Sequence, residues 1–298
     1  RDVAASCFGI PANDVIVTAT STEKNHNTSP TAASSGSDIN CAAAEQACLK
    51  IVDRLKNIAV QVFERQAPLT PSEEFCLDET LETSSILLKN KWVFNAKNTN
   101  QRIAFAELVR TCFFNRISLG EYGYHKTEGI YFDVEKGFGH PFLYYTNGIC
   151  CSEVSIDRYT GELKVLQSDI IMDLGRTINE GIDYGQVCGA FVQGMGWVTT
   201  ENLFYSAQGK LLSHSPTTYK IPSIQDVPRH FSMELLENDG NEVNVRRSKA
   251  VGEPPFVLGM SAWTAAKNAL SYCKTAQLSE FSLPASNEEN LRRLNEDL

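Results

Sequence analysis

The stretch Ser248-Lys249-Ala250-Val251-Gly252-Glu253-Pro254-Pro255-Phe256 sets one carboxylate between a glycine and two prolines. An apolar pattern follows at once: Leu258, Ala262, Ala265, Ala266, Ala269, Leu270 and Cys273 recur with the period of one helix face. Gly252 has no Cβ, so the backbone there accepts a turn or the close approach of a ligand. Pro254 and Pro255 fix φ, and Pro254 pushes Glu253 toward extended geometry. Glu253 is therefore expected on a stiff loop just before a helix N-terminus. The residues alone leave two readings open. Glu253 is either an ordinary carboxylate favoured by a helix dipole or a positioned general base.

Upstream of that loop, Phe231 to Leu236 reads as a strand, and Asp183 to Val198 as a helix. The helix contains glycines at 185, 189, 194 and 196, each weakening it by about 1 kcal/mol relative to alanine. Close packing on a neighbour or the approach of a bulky ligand is needed to offset that cost. Phe142 to Tyr145, Ile149 to Ile156, Leu163 to Val165 and Asp169 to Leu174 read as strands, and residues 201 to 205 and 210 to 212 as a hairpin. The fold class this predicts is α+β, with antiparallel or mixed sheets packed against helices.

Toward the N-terminus, Arg1 to Phe8 reads as the end of a helix and Val15 to Thr20 as a strand. A small, polar loop then runs from Ser21 to Asp38 into a helix over about 40 to 55, with Ala44, Cys48, Ile51, Val52 and Leu55 on one face. A loop of small residues ahead of a helix is either a connector or a cradle for an anion. A second helix is predicted over 102 to 116, while the acidic run Glu73, Glu74, Asp78, Glu79 and Glu82 reads as a solvated face. Residues 276 to 298 turn polar and are expected to form a surface tail ending in a short helix.

The net charge is −9, which argues against nucleic acid as the main partner. No apolar run approaches the length that crosses a bilayer. The nine cysteines include no C-x-x-C, and the five histidines show no metal-ligand spacing. Free thiols in a reducing, cytoplasmic compartment are the expectation. The chain starts Arg-Asp-Val without Met, and so is expected to be a piece of something longer.

A resemblance sharpens this reading. Thr20-Ser21-Thr22, Ser29-Pro30-Thr31-Ala32-Ala33-Ser34, Gly148 to Val154, Asp173-Leu174-Gly175-Arg176, Gly185 to Gly196, Thr218-Tyr219-Lys220-Ile221-Pro222 and the stretch from Ser248 to Phe256 occur in that order. Together they resemble the C-terminal part of the molybdopterin-binding portion of the molybdenum hydroxylases, the xanthine dehydrogenase–aldehyde oxidase family. The likeness covers roughly residues 1 to 275, with room for two subdomains, and is weakest over 56 to 120. Gly194 to Glu201 leans toward the bacterial, separate-subunit form.

The resemblance implies a molybdenum–molybdopterin cofactor, with Glu253 as the general base for hydroxylation of hypoxanthine and xanthine. It makes Gln186 the amide that hydrogen-bonds the pterin. It places Ala33, Ser34, Ser35 and Gly36 in the loop whose backbone approaches metal and pterin, with Ala33 near molybdenum and no side-chain ligand. Further parts are implied outside this chain: the upstream half of the domain with its second pterin loop and substrate-gripping residues, and an iron–sulfur (2Fe-2S) and flavin (FAD) module. A homodimer of the full assembly, with no nucleic acid or membrane as partner, completes the picture. Gly36 departs from the family, many members of which carry serine there. An aldehyde oxidase-type hydroxylase and a non-catalytic interaction fragment are the alternative readings, the double proline after Glu253 favouring the xanthine branch. Without its upstream half, the isolated piece is expected to be inactive.

Overall fold

The helix predicted over 40 to 55 continues well beyond it. It runs from Ala42 to Gln66 (α2), entered through a π-helical turn at Ser37–Cys41. The reason is its apolar face, which goes on through Ile58, Ala59 and Phe63, all buried. The computed structural model describes residues 1–24, 31–66, 81–273 and 280–295. Ser29, Pro30, His26, Cys76 and the acidic run from Glu73 to Glu79 lie outside these described residues. The chain divides into two compact units, Arg1–His140 and Pro141–Leu298.

In the first unit, α1 (Asp2–Phe8) precedes α2, and three antiparallel strands follow: β1 (Ile86–Lys89), β2 (Trp92–Asn95) and β3 (Asn98–Ala104). Next come α3 (Phe105–Phe114) and a small hairpin of β4 (Tyr131–Asp133) and β5 (Phe138–His140). Leu55, Ala59 and Phe63 of α2 pack with Ile86, Val93 and Ile103 of the sheet and with Leu108 and Cys112 of α3. Val15 to Thr20, expected as a strand, is not paired among the described residues, and Ile16 and Val17 are exposed. Its β-branched residues favour extension, but a strand also needs a neighbour.

The second unit is built on β6 (Asn147–Ile156), β7 (Leu163–Asp173) and β8 (His230–Leu235). The two segments read separately at 163–165 and 169–174 are one strand, antiparallel to β6 from Ile156↔Leu163 to Asn147↔Asp173. β8 pairs with β7 in parallel, Gln167↔His230 to Met172↔Leu235, so the sheet is mixed. Parallel neighbours need a crossover, and α4 (Glu180–Thr199) supplies its helix. Residues 142 to 145 are not a strand, and the expected hairpin at 201–212 is reduced to one bridge, Tyr205↔Leu211.

One face of this sheet is covered. Ile170 and Met172 pack on Val187, Phe191 and Met195 of α4, together with Ala262 of α5 (Met260–Leu270). The opposite face, including Ile149, Cys151, Asp169, Ile171, Ser232 and Glu234, is exposed. The C-terminal stretch corrects the expectation of a surface tail. Phe281 and Ala285 join Ala266 and Leu270 in a buried cluster. Beyond them, α6 (Asn287–Leu294) buries Glu289, Asn290 and Arg293. No helix among the described residues is long and apolar enough to cross a membrane.

Candidate active site

Glu253 caps a 3₁₀ turn, Pro254–Gly259, that leads directly into α5. Its place ahead of a helix is as expected, but its conformation is not. With φ −102° and ψ −35° it is helical rather than extended. The turn wins over the pre-proline preference because the Phe256 N–H donates to the Glu253 carbonyl at 3.0 Å. The Glu253 side chain is exposed in this chain.

The loop is fastened on both sides. Upstream, Lys249 Nζ lies 2.6 Å from Asp173 Oδ2 at the end of β7, with the two side chains only 9% and 12% exposed. The Lys249 N–H donates to the Leu174 carbonyl at 2.8 Å, and Thr146 Oγ1 donates to the Ala250 carbonyl at 3.0 Å. Burial pushes the Asp173 carboxyl up, but hydrogen bonds from Lys249, the Gly175 N–H and Asn238, with the charge of Lys249, outweigh it and hold the group below the usual range. Downstream, Phe256 meets Trp197 edge-on at 4.9 Å. A Cβ on Gly194 would stand 2.0 Å from the Phe256 carbonyl oxygen, so only glycine lets α4 lie against this turn.

Gln186 sits on the same helix, eight residues before Gly194, or about 12 Å along the axis at 1.5 Å per residue. It belongs to an exposed stripe of α4 formed by Ile182, Gly185, Gln186, Gly189 and Gln193. Here four of the helix's five glycines separate into two kinds. Gly194 and Gly196 are packed, against Phe256 and against Glu201 and Pro222, whereas a Cβ at Gly185 or Gly189 would meet nothing within 4 Å. Packing inside this chain explains the first pair only.

Residues 1–228 match the profile of a molybdopterin cofactor-binding domain. This chain belongs to that family. It is 39% identical over 280 residues to xanthine dehydrogenase 1 of Arabidopsis thaliana, covering 92% of this chain and 18% of that protein. It is 37% identical over 294 residues to the xanthine dehydrogenase/oxidase of Felis catus, covering 96% of this chain and 19% of that one. The chain thus spans less than a fifth of these curated relatives. Both are long eukaryotic proteins, so they lend nothing to the bacterial, separate-subunit leaning. Among solved structures, quinoline 2-oxidoreductase from Pseudomonas putida 86 matches with a TM-score of 0.79 at 23% identity, over 99% of this chain and 34% of that one. The Cu,Mo-CO dehydrogenase in its carbon monoxide-reduced state also gives 0.79, at 19% identity and over the same shares. These two likenesses speak to the fold.

Does the molybdopterin-binding domain, as folded here, have a place for such a group? The α4 stripe answers for the second unit. Gly185 and Gly189, where an added Cβ would meet nothing within 4 Å, lie beside the Gln186 amide on an exposed stripe, and the backbone there is open to a planar, polar partner. Gln186 and Glu253 thus stand on two elements that pack together. Ala33, Ser34, Ser35 and Gly36 belong to the first unit. There, Ala33 and Ser34 take φ of 58° and 55°, consecutive left-handed residues of the kind that strain and function bring together. Ser35 Oγ donates to the Ala32 carbonyl at 2.7 Å. Gly36 has helical φ, and a Cβ there would meet only the Thr31 side chain, at 3.4 Å, so serine and glycine are both accommodated. Among the described residues, no group of three or more His, Cys, Asp or Glu could hold a metal ion.

Sequence reasoning missed the fastening of the domain. Asp173, Asn238 and Lys249 are polar residues with no spacing signal, and their partners are remote in sequence, while Asn241 bonds the Ser248 carbonyl seven residues on. Only the presence of Asp173 and Lys249 in stretches resembling the family marked them at all.

Proposed function

We propose that this chain is the base-bearing, C-terminal part of the molybdopterin-binding portion of a xanthine dehydrogenase-type enzyme, which hydroxylates hypoxanthine and xanthine to urate with oxygen from water. The observation that carries the reading is the mounting of Glu253. A single carboxylate is presented at the mouth of a turn that is fastened upstream to β7 and downstream to the helix bearing the open Gly185-Gln186-Gly189 face. The names of the 39% and 37% identical relatives support the purine class.

When bound, the molybdenum–molybdopterin group supplies the two-electron oxidation that hydroxylation requires. The chain's own residues then divide the remaining work. Glu253 accepts the proton from the water-derived oxygen as that oxygen attacks the ring carbon. Gln186 offers an amide that both donates and accepts hydrogen bonds to the pterin. Ala33 to Gly36 offer loop backbone with little side-chain bulk, the Ser35 N–H being turned to the Ala32 carbonyl. The upstream half of the domain, an iron–sulfur and flavin module, and a homodimeric assembly belong to the complete enzyme, and the isolated chain is inactive without them.

The test is turnover of xanthine by the full-length enzyme with and without Glu253→Gln, alongside molybdenum content. Loss of turnover by several orders of magnitude with metal retained is the expected result. Retained turnover would remove Glu253 from the role of base.

A further inference from the structure

We infer that Asp173 and Lys249 are positioning residues whose buried contact fixes where the Glu253 carboxylate stands, an inference that rests on Glu253 being the base. Lys249 lies four residues before Glu253, and Phe256 lies three after it. The base is therefore strung between two fixed points on a short tether. The downstream point is the backbone contact of Phe256 with Gly194. The upstream point is the 2.6 Å contact of Lys249 Nζ with Asp173 Oδ2.

Everything around the upstream point serves geometry. Asp173 uses both carboxylate oxygens: Oδ1 accepts from the Gly175 N–H at 2.9 Å, and Oδ2 from Asn238 Nδ2 at 2.7 Å as well as from Lys249. The main chains run side by side, with Lys249 N–H to Leu174 carbonyl at 2.8 Å and Arg176 N–H to Arg247 carbonyl at 3.1 Å. The Ser248 carbonyl accepts from Asn241 Nδ2 at 2.6 Å and from Asn244 Nδ2 at 3.1 Å. Just before this, Arg246 and Arg247 hold left-handed φ of 53° and 61°. Non-glycine residues stay in that region only where their surroundings over-determine them. A buried ion pair is a poor stability device, because desolvation consumes most of its Coulomb gain. It is a good locating device, since both partners are costly to move apart.

The experiment uses the full-length enzyme carrying Lys249→Met, the paired Asp173→Asn/Lys249→Met, Glu253→Gln, and Lys249→Met combined with Glu253→Gln. The paired variant removes both charges yet keeps an amide oxygen to accept from the Gly175 N–H, and so separates positioning from folding. Displacing a catalytic group by about 1 Å costs on the order of 100-fold. The expected result is a fall of that size in kcat for Lys249→Met and for the paired variant, with KM unchanged. Amides 247 to 253 should exchange hydrogen faster, and the Lys249 change should cause no further loss once Glu253 is glutamine. Wild-type kcat and exchange in the paired variant would overturn the inference. So would a full, additive loss from Lys249→Met in the Glu253→Gln background. If Glu253→Gln alone keeps turnover, the reading of the base fails first, and that outcome is visible separately.

Discussion

Gly194 and Phe256 lie back to back, with the position of a Gly194 Cβ falling 2.0 Å from the Phe256 carbonyl oxygen. The contact is reciprocal, because a Cβ on Gly259 would stand 2.3 Å from the Gly194 carbonyl carbon. The helix carrying Gln186 and the turn carrying Glu253 are thus joined through backbone, where no side-chain rotation can relax the fit. A site assembled this way holds its shape through packing, and its glycines are structural at one end of α4 and open at the other.

Gly194→Ala sets two effects against each other. Alanine gains about 1 kcal/mol of helix propensity, but overpacking against backbone costs about 1–3 kcal/mol. Overpacking should win, because the obstacle is a carbonyl and not a flexible side chain. Thermal unfolding is expected to show a lower Tm, and kcat to fall as the Glu253 turn is pushed outward. A Tm at or above wild type would mean that the turn yields freely.

The C-terminal helix makes a second case. Arg293 Nε lies 2.8 Å from Glu289 Oε1, both side chains being almost fully buried, and Arg293 also donates to the Glu280 carbonyl at 2.6 Å. Removing Arg293 leaves the buried Glu289 carboxylate with the largely exposed Arg292 as partner. The cost is that of lost hydrogen bonds to a charged group, about 1.5–3 kcal/mol, and not that of a wholly unpaired charge. Arg293→Met should therefore destabilise the second unit by about that amount in urea unfolding. A change below about 0.5 kcal/mol, typical of surface positions, would return this helix to the status of a tail.

Acid should find the same two places. Asp173 and Glu289 both have carboxyls held below the usual range: burial opposes this in each, and the bonds from Lys249, Gly175 and Asn238 or from Arg293, Ser282 and Arg292 overcome it. A depressed folded-state pKa contributes stability that is present above the unfolded value, about 4, and is lost as pH falls through the folded value. Stability is thus expected to be flat with respect to these two groups at neutral pH and to decline below about pH 4. Asp173→Asn should flatten part of that acid limb, as read from urea midpoints against pH.

Much of this was legible in the sequence where one element carries its own pattern. The helix over 183 to 198, read in spite of its glycines, the placing of Glu253 just before a helix and the apolar face of α5 all pointed to the observed elements. What could not be read depends on partners. The β1–β2 hairpin turns at Asn90 and Lys91, with φ of 53° and 65°, where a glycine would have signalled the turn. The parallel pairing of β8 with β7 leaves no trace in alternation, which is the same in either direction. Lys249 and Asp173 are 76 residues apart, and nothing in either neighbourhood names the other. Glu253 shows the reverse case, in which a known local preference gave way to one turn-closing hydrogen bond.

The open glycines of α4 offer the most discriminating prediction. Gly185 and Gly189 have no neighbour within 4 Å of an added Cβ, so alanine at either costs nothing in packing within this chain. Each substitution should raise helix stability by about 1 kcal/mol. If the stripe around Gln186 is where a flat cofactor lies against backbone, the same methyl groups obstruct it. Gly185→Ala and Gly189→Ala in the full-length enzyme should then raise the Tm of the cofactor-free protein while lowering molybdenum and pterin content. A purely structural role predicts the gain in Tm without loss of cofactor. Opposite movement of the two readouts ties the glycines to the ligand, because no defect of folding both stabilises the empty protein and empties it.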